Sequence, residues 1–129
     1  MTSQGFAREN GEIGEKIAYA LCERLLKINI HRVNDLIDFF TDTKIPIEVK
    51  TCQVRTVDKT YKNGYRTGRF VLKKEQHEYL QNRGGLYLFI VLKDTTAIKI
   101  AFIYANDFNY KRLITHTEIF NKIGVWRII

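Results

Sequence analysis

The sequence predicts an α/β fold, a mixed central sheet flanked by helices, and three observations lead there. An amphipathic helical pattern opens the chain, three short strand-like runs follow it, and a second helix precedes two apolar strands. In the order α, β, β, β, α, β, β, local hairpins supply antiparallel neighbours and a helical crossover supplies a parallel one. With 129 residues and 45% hydrophobic content, the chain can bury one core and is short for two. We therefore expect a single domain over residues 1–129, with a core over about 10–105.

Met1 to Arg8 lacks periodicity and is expected to fray. From Asn10, a helix N-cap by its side chain, Ile13, Ile17, Leu21 and Leu25 recur every four residues, which predicts a first helix to about Lys27. Gly11 and Gly14 weaken its first turn by up to about 1 kcal/mol each relative to Ala, so something other than propensity favours glycine there. Ile28 to Val33 alternates as an edge or half-buried strand, and Asn34-Asp35 follows as a turn. Strands are predicted at Leu36 to Phe40 and Ile45 to Thr51, joined by Thr41-Asp42-Thr43-Lys44. Pro46, the only proline, is tolerated near a strand start.

Gln53 to Arg69 is polar and basic and reads as a mobile or hairpin-like loop. Phe70-Val71-Leu72 leads into a second helix, Lys73 to Asn82, ended by Arg83-Gly84-Gly85 as a glycine C-cap. Leu86 to Leu92 is a nearly continuous apolar run, hence a central strand buried on both faces. Ile98 to Ala105 is another strand and Asn106-Asp107-Phe108 the start of a short helix. The stretch to Gly124 is ambiguous, and Val125 to Ile129 is a last strand.

The 21 Lys and Arg outnumber the 14 Asp and Glu for a formal charge of +7, which favours a polyanionic partner, most commonly nucleic acid, over an acidic small substrate. Cys22 and Cys52 form no CxxC pair, and no secretory leader is recognised. Neither a disulfide framework nor a zinc knuckle is indicated, and reduced thiols in the cytoplasm are the expectation. The longest apolar runs fall far below the roughly 20 residues of a membrane-spanning helix.

The run from Leu36 to Thr51 carries the chemistry. Side chains alternate across a strand, so Glu48 and Lys50 share one face and Ile47 and Val49 the other. A charge inside a central strand costs several kcal/mol unless it is paired or metal-bound. The plain alternative is a Glu48–Lys50 ion pair on a solvated face. Asp38, on the neighbouring strand, is brought near Glu48 by the hairpin, and two facing carboxylates repel unless a proton or a cation intervenes. Hard carboxylate oxygens around an otherwise hydrated ion suit Mg²⁺, with Mn²⁺ as a substitute. Such an ion can bind a phosphate oxygen and acidify a water, while Lys50 orients that water or offsets developing charge.

Asp38, ten residues on from it Glu48-Val49-Lys50, and Gly11-Glu12-Ile13-Gly14-Glu15-Lys16-Ile17-Ala18 at the start of the first helix together resemble the PD-(D/E)XK nuclease superfamily. That superfamily includes restriction endonucleases, archaeal Holliday junction resolvases and phage exonucleases. The resemblance covers about Gly11 to Leu92 and implies a restriction endonuclease-like αβββαβ core. It also implies a metal held by Asp38, Glu48 and Glu15, with Lys50 as catalytic helper. Asp35 is the rival for the strand-2 acid; Asp38 is preferred because it lies inside the predicted strand, whereas Asp35 has a ready reading as a turn residue. Glu12 is the fallback for Glu15. A polar residue of the second helix reaches the active site in relatives, which makes Gln76 a candidate, while His77 reads as structural.

The basic loop directly follows the Glu48–Lys50 strand. Arg55, Lys59, Lys62, Arg66, Arg69 and Lys73 are candidates for phosphate contacts, and Tyr61 and Tyr65 for stacking on a base or sugar. The function expected is a Mg²⁺-dependent DNA endonuclease, structure-selective on junctions or branched DNA, with homodimerisation where both strands of a duplex are cut. The alternative is a non-catalytic nucleic-acid-binding or assembly module on the same fold.

Overall fold

The computed structural model describes residues 3–27, 29–32 and 36–129, with side chains placed for 9–24, 26–27, 29–31 and 36–129. Along the chain, α1 (Ser3–Ala20) runs through a π-helical turn (Leu21–Leu25) to β1 (Ile30–Arg32), β2 (Phe39–Thr41) and β3 (Pro46–Gln53). Then come β4 (Arg55–Val57), β5 (Tyr65–Thr67), β6 (Arg69–Val71) and α2 (Lys74–Asn82). The chain finishes with β7 (Leu86–Lys93), β8 (Thr96–Tyr104), a 3-10 turn (Ala105–Asp107), β9 (Leu113–Thr115), α3 (His116–Phe120) and β10 (Trp126–Arg127).

Six strands form the central sheet in the order β1-β2-β3-β7-β8-β10. β3 and β7 are parallel, as the crossover through α2 requires, and the other neighbours are antiparallel. Ile47, Val49, Leu88, Ile90 and Phe102 pack with Ala18, Leu21 and Cys22 on the α1 side. Tyr87, Phe89, Val91, Ala101 and Ile103 pack with Leu72, Leu80, Ile114 and Phe120 on the α2 side. The apolar run of β7 is thus buried on both faces, because helices cover both sides of a sheet with a parallel centre. Two small ribbons, β4–β5 and β6–β9, stand apart from this sheet. No helix among the described residues is long and apolar enough to cross a membrane.

Several element boundaries differ from the sequence reading. α1 begins at Ser3 rather than at Asn10. Asn10 is therefore no N-cap: it lies inside the helix, and its Oδ1 accepts a hydrogen bond from Gln53 Nε2 at 2.9 Å. The helix gives way at Ala20 to the π turn, closed by Leu26 N donating to Leu21 O at 3.0 Å. β2 starts at Phe39, so Asp38 precedes the strand instead of lying within it. Of the two alternatives for the basic stretch after β3, mobile or hairpin-like, the structure shows the hairpin, β4–β5. Phe70 and Val71 belong to β6, paired with β9 from the stretch left unassigned. Ile28, Val33, Asn34 and Asp35 lie outside the described residues.

Gly11 and Gly14 of α1 differ in surroundings. A Cβ at Gly14 would sit 2.0 Å from Thr51 Oγ1, whereas one at Gly11 would meet nothing within 4 Å. Gly14 lets α1 lie directly on β3, and Gly11 only weakens the helix. Gly14→Ala is expected to lower stability by about 1–3 kcal/mol through overpacking. Gly11→Ala should raise it by up to about 1 kcal/mol. Urea denaturation of the two variants measures both signs.

Candidate active site

Asp38 and Glu48 are locked together by reciprocal hydrogen bonds. The Asp38 amide donates to Glu48 Oε1 at 3.0 Å, and the Val49 amide donates to Asp38 Oδ2 at 3.0 Å. Each carboxylate thus takes a backbone N–H of the other segment, in place of ladder bonds between strands. This explains why the β2 ladder begins only at Phe39, which pairs with Ile47.

Lys50 completes the cluster. Its Nζ lies 3.3 Å from Glu48 Oε2 and donates to Gln76 Oε1 at 2.9 Å. Gln76, buried on α2, donates through Nε2 to the Leu36 carbonyl at 2.8 Å. The ring of contacts therefore runs from the segment before β2, through Glu48 and Lys50 on β3, to α2 and back two residues before Asp38. Beneath it His77 is buried, with Nδ1 3.0 Å from the Tyr87 hydroxyl, a packed structural role as expected.

Glu48 is 4% exposed. Burial, and secondarily the Asp38 charge, push its carboxyl up to about 7, while Lys50 pulls it back. A carboxylate in this position sits at the edge of ionisation at neutral pH, and a divalent cation between Asp38 and Glu48 would offset both the burial and the repulsion. The donors are hard carboxylate oxygens, the chemistry that Mg²⁺ and Mn²⁺ accept. By this test the pair fits such an ion.

Glu15 is not part of the cluster. It lines a hollow of about 560 Å³ with Glu12, Tyr19, Glu23 and Phe39. α1 packs on the sheet face that carries Ile47 and Val49, opposite the face of Glu48 and Lys50. Among the described residues no three His, Cys, Asp or Glu side chains are grouped to hold a metal ion. Among the described residues, Asp38 and Glu48 are the expected carboxylates that hydrogen bonds bring together, and the fallback Glu12 lines the same hollow as Glu15. Asp35, the rival to Asp38, lies outside the described residues.

A cleft of about 1010 Å³ adjoins the cluster. Lys50, Arg55, Arg66 and Arg69 line it, with Glu9, Asn10 and Ile13 of α1 and Asp94 and Thr95 of the β7–β8 turn on its other walls. It follows the edge of β3 that β2 leaves uncovered, since the β2–β3 ladder ends at Ile47. Lys59, Tyr61 and Lys62 are exposed in the loop of the β4–β5 hairpin and Lys73 is exposed before α2; none of these four lines the cleft. Tyr65 is 44% exposed, with the Arg55 guanidinium 5.0 Å above its ring. The sequence reading missed the α1 and β7–β8 walls and the Leu36 carbonyl that anchors Gln76. A backbone carbonyl leaves no signal in residue type, and no motif joins Asn10 or Asp94 to β3.

Among curated proteins none matches the chain. The family model described as a PD-(D/E)XK nuclease superfamily domain matches residues 1–117. That span includes the helix glycines, the Asp38–Glu48–Lys50 cluster, Gln76 and the four strands β1, β2, β3 and β7 of the expected core. The chain belongs to the PD-(D/E)XK nuclease superfamily.

Proposed function

We propose that the protein is a Mg²⁺-dependent endonuclease that hydrolyses phosphodiester bonds in DNA. The observation that carries this reading is the pairing of half-buried Asp38 with buried Glu48, each fixed by a backbone amide of the other segment, with the Lys50 ammonium held beside Glu48. Asp38 and Glu48 would hold the ion. When bound, Mg²⁺ supplies a Lewis acid for a phosphate oxygen and lowers the pKa of a coordinated water. Lys50 offsets charge that develops on the phosphate and orients the attacking water. Gln76 acts as a positioning residue, since its bonds to Lys50 and to the Leu36 carbonyl fix the ammonium relative to the Asp38 segment. Arg55, Arg66 and Arg69 along the cleft neutralise flanking phosphates.

The test is cleavage of supercoiled, linear and four-way-junction DNA with and without Mg²⁺. Lys50→Ala should lower kcat by about 10²–10³-fold. Gln76→Ala should lower it by about tenfold with a smaller change in KM, because Lys50 keeps its charge and loses only its anchor. Preference for the junction substrate would mark structure selectivity. Activity that survives Lys50→Ala sinks the mechanism, and binding without cutting favours a non-catalytic nucleic-acid module.

A further inference from the structure

The hairpin β4–β5 has more structure than a phosphate-neutralising loop needs. Its strands pair Arg55 with Thr67, Thr56 with Arg66 and Val57 with Tyr65. The connecting turn is held by its own bonds: Asp58 N donates to Gly64 O (2.8 Å), Tyr61 N to Asp58 O (3.1 Å) and Gly64 N to Tyr61 O (2.9 Å). Asp58 Oδ1 accepts from Thr60 N at 3.0 Å and from Thr60 Oγ1 at 2.6 Å, and Asn63 Oδ1 accepts from Tyr65 N at 3.1 Å. Arg66 is tied to Asp58 at 3.3 Å. The ribbon is therefore preorganised, yet it presents exposed Val57, Tyr61 and Tyr65 beside Lys59 and Lys62. Packing within this chain does not explain an ordered ribbon with an exposed apolar and cationic surface.

We propose that the β4–β5 ribbon enters the major groove of B-form duplex DNA beside the cut site and contacts base edges there. This rests on the nuclease reading only for the location of the cut. A two-stranded ribbon fits a groove about 12 Å wide and about 8.5 Å deep. From Arg55 to Val57 β4 advances about 7 Å at roughly 3.3 Å per residue, and the turn of residues 58–64 carries the ribbon further toward the groove floor. Lys59 and Lys62 suit guanine O6 and N7, and the exposed Val57–Tyr65 pair suits a thymine methyl group. The five residues from Lys50 on β3 to Arg55 at the start of β4 span at most about 16 Å, so the contacted bases would fall within about five base pairs of the scissile phosphate. Duplex is favoured over single strands because the Arg55 guanidinium already covers one face of Tyr65, the ring a lone base would stack on. Duplex RNA is excluded, since its major groove is too narrow to admit the ribbon.

The experiment is a binding assay in Ca²⁺, which keeps cleavage out of the readout. It compares ordinary duplex DNA with the same duplex carrying glucosylated 5-hydroxymethylcytosine, whose sugars fill the major groove and leave the minor groove open. The wild type should bind the filled duplex at least about tenfold more weakly. A variant with residues 58–64 replaced by a two-residue Asn-Gly turn, which preserves the Val57–Tyr65 pair, should bind both duplexes within about twofold. The surface variant Lys59→Ala/Tyr61→Ala/Lys62→Ala, which touches no buried group, gives the same comparison should the shortened turn fail to fold. Equal wild-type affinity for both duplexes, equal losses in wild type and variants, or single strands bound as tightly as duplex would each overturn the proposal. If groove dependence appears and Mg²⁺ produces no cutting, the nuclease reading fails and the ribbon assignment stands; the converse result separates them the other way.

Discussion

Glu48→Gln should abolish cleavage and yet stabilise the metal-free protein at alkaline pH. On the proposed mechanism the activity loss is at least about 10³-fold, because the substitution removes one of the two carboxylates that would hold the ion, the one that also pairs with Lys50. The stability gain follows from the position of Glu48, buried against Asp38 with its carboxyl pushed up to about 7 from an ordinary 4.5. Because the folded-state value exceeds the unfolded one, the folded protein binds more protons between the two. The stability contributed by this group is fully present below about 4.5 and is lost as pH rises through about 7. Gln carries no charge at any pH and still offers an oxygen to the Asp38 amide. The variant should therefore match the wild type near pH 5 and exceed it by on the order of 1–3 kcal/mol at pH 8. Thermal denaturation across that range, in the presence of a chelator, reads the difference. Added Mg²⁺ should then raise the wild-type melting temperature at pH 8 and leave the variant unmoved, since only the wild type gains ligand-linked stability. Parallel stability curves for the two proteins would show that Glu48 is not a strained carboxylate.

The sequence revealed this site to the extent that strand alternation governs it. Glu48 and Lys50 had to share a face once Ile47 and Val49 were committed to the core, and the structure places them so. Leu86 to Leu92 announced a doubly buried strand because no polar residue interrupts it. Gly84, with φ +63°, ended α2 as its position suggested. Asp38 was found beside Glu48 for a different reason than expected: it sits ahead of β2, and side-chain bonds to backbone amides bring the two acids together. Alternation could not reveal that, because such bonds interrupt the strand pattern. Glu15 shows the same limit from the other side. Helix periodicity fixes which residues share a stripe but not how the helix is rotated over the sheet, and α1 meets β3 at Gly14 and Thr51. The β6–β9 pair escaped notice because each strand has three residues, too few for a period, and the partners are far apart in sequence.

Gly68→Ala should be the most damaging glycine-to-alanine change among the described residues, and no pattern in the sequence marks it out. Gly64 and Gly68 look alike in a basic, polar stretch, but they serve different ends. Gly64 has φ +80° and open space around its Cα, so it is needed only for turn geometry. Gly64→Ala should cost about 1–2 kcal/mol, the usual penalty for a left-handed conformation. Gly68 is buried, and a Cβ there would fall 1.6 Å from the Gln53 carbonyl oxygen and 2.8 Å from its carbon. The obstruction is backbone of β3, not a side chain that can rotate away. Gly68 cannot retreat either, because its amide donates to Val54 O at 3.1 Å and its carbonyl accepts from His116 N at 3.2 Å. Relief would require breaking both bonds, which join the root of the β4–β5 ribbon to Val54 at the exit of β3 and to His116 of α3. A loss of more than about 4 kcal/mol is expected, enough to leave much of the protein unfolded. Denaturation midpoints of the two glycine variants, measured side by side, provide the check. Similar losses at the two positions would mean that the backbone of β3 and the ribbon do not approach as closely as this, and that the cleft between Lys50 and Arg66 has a different floor.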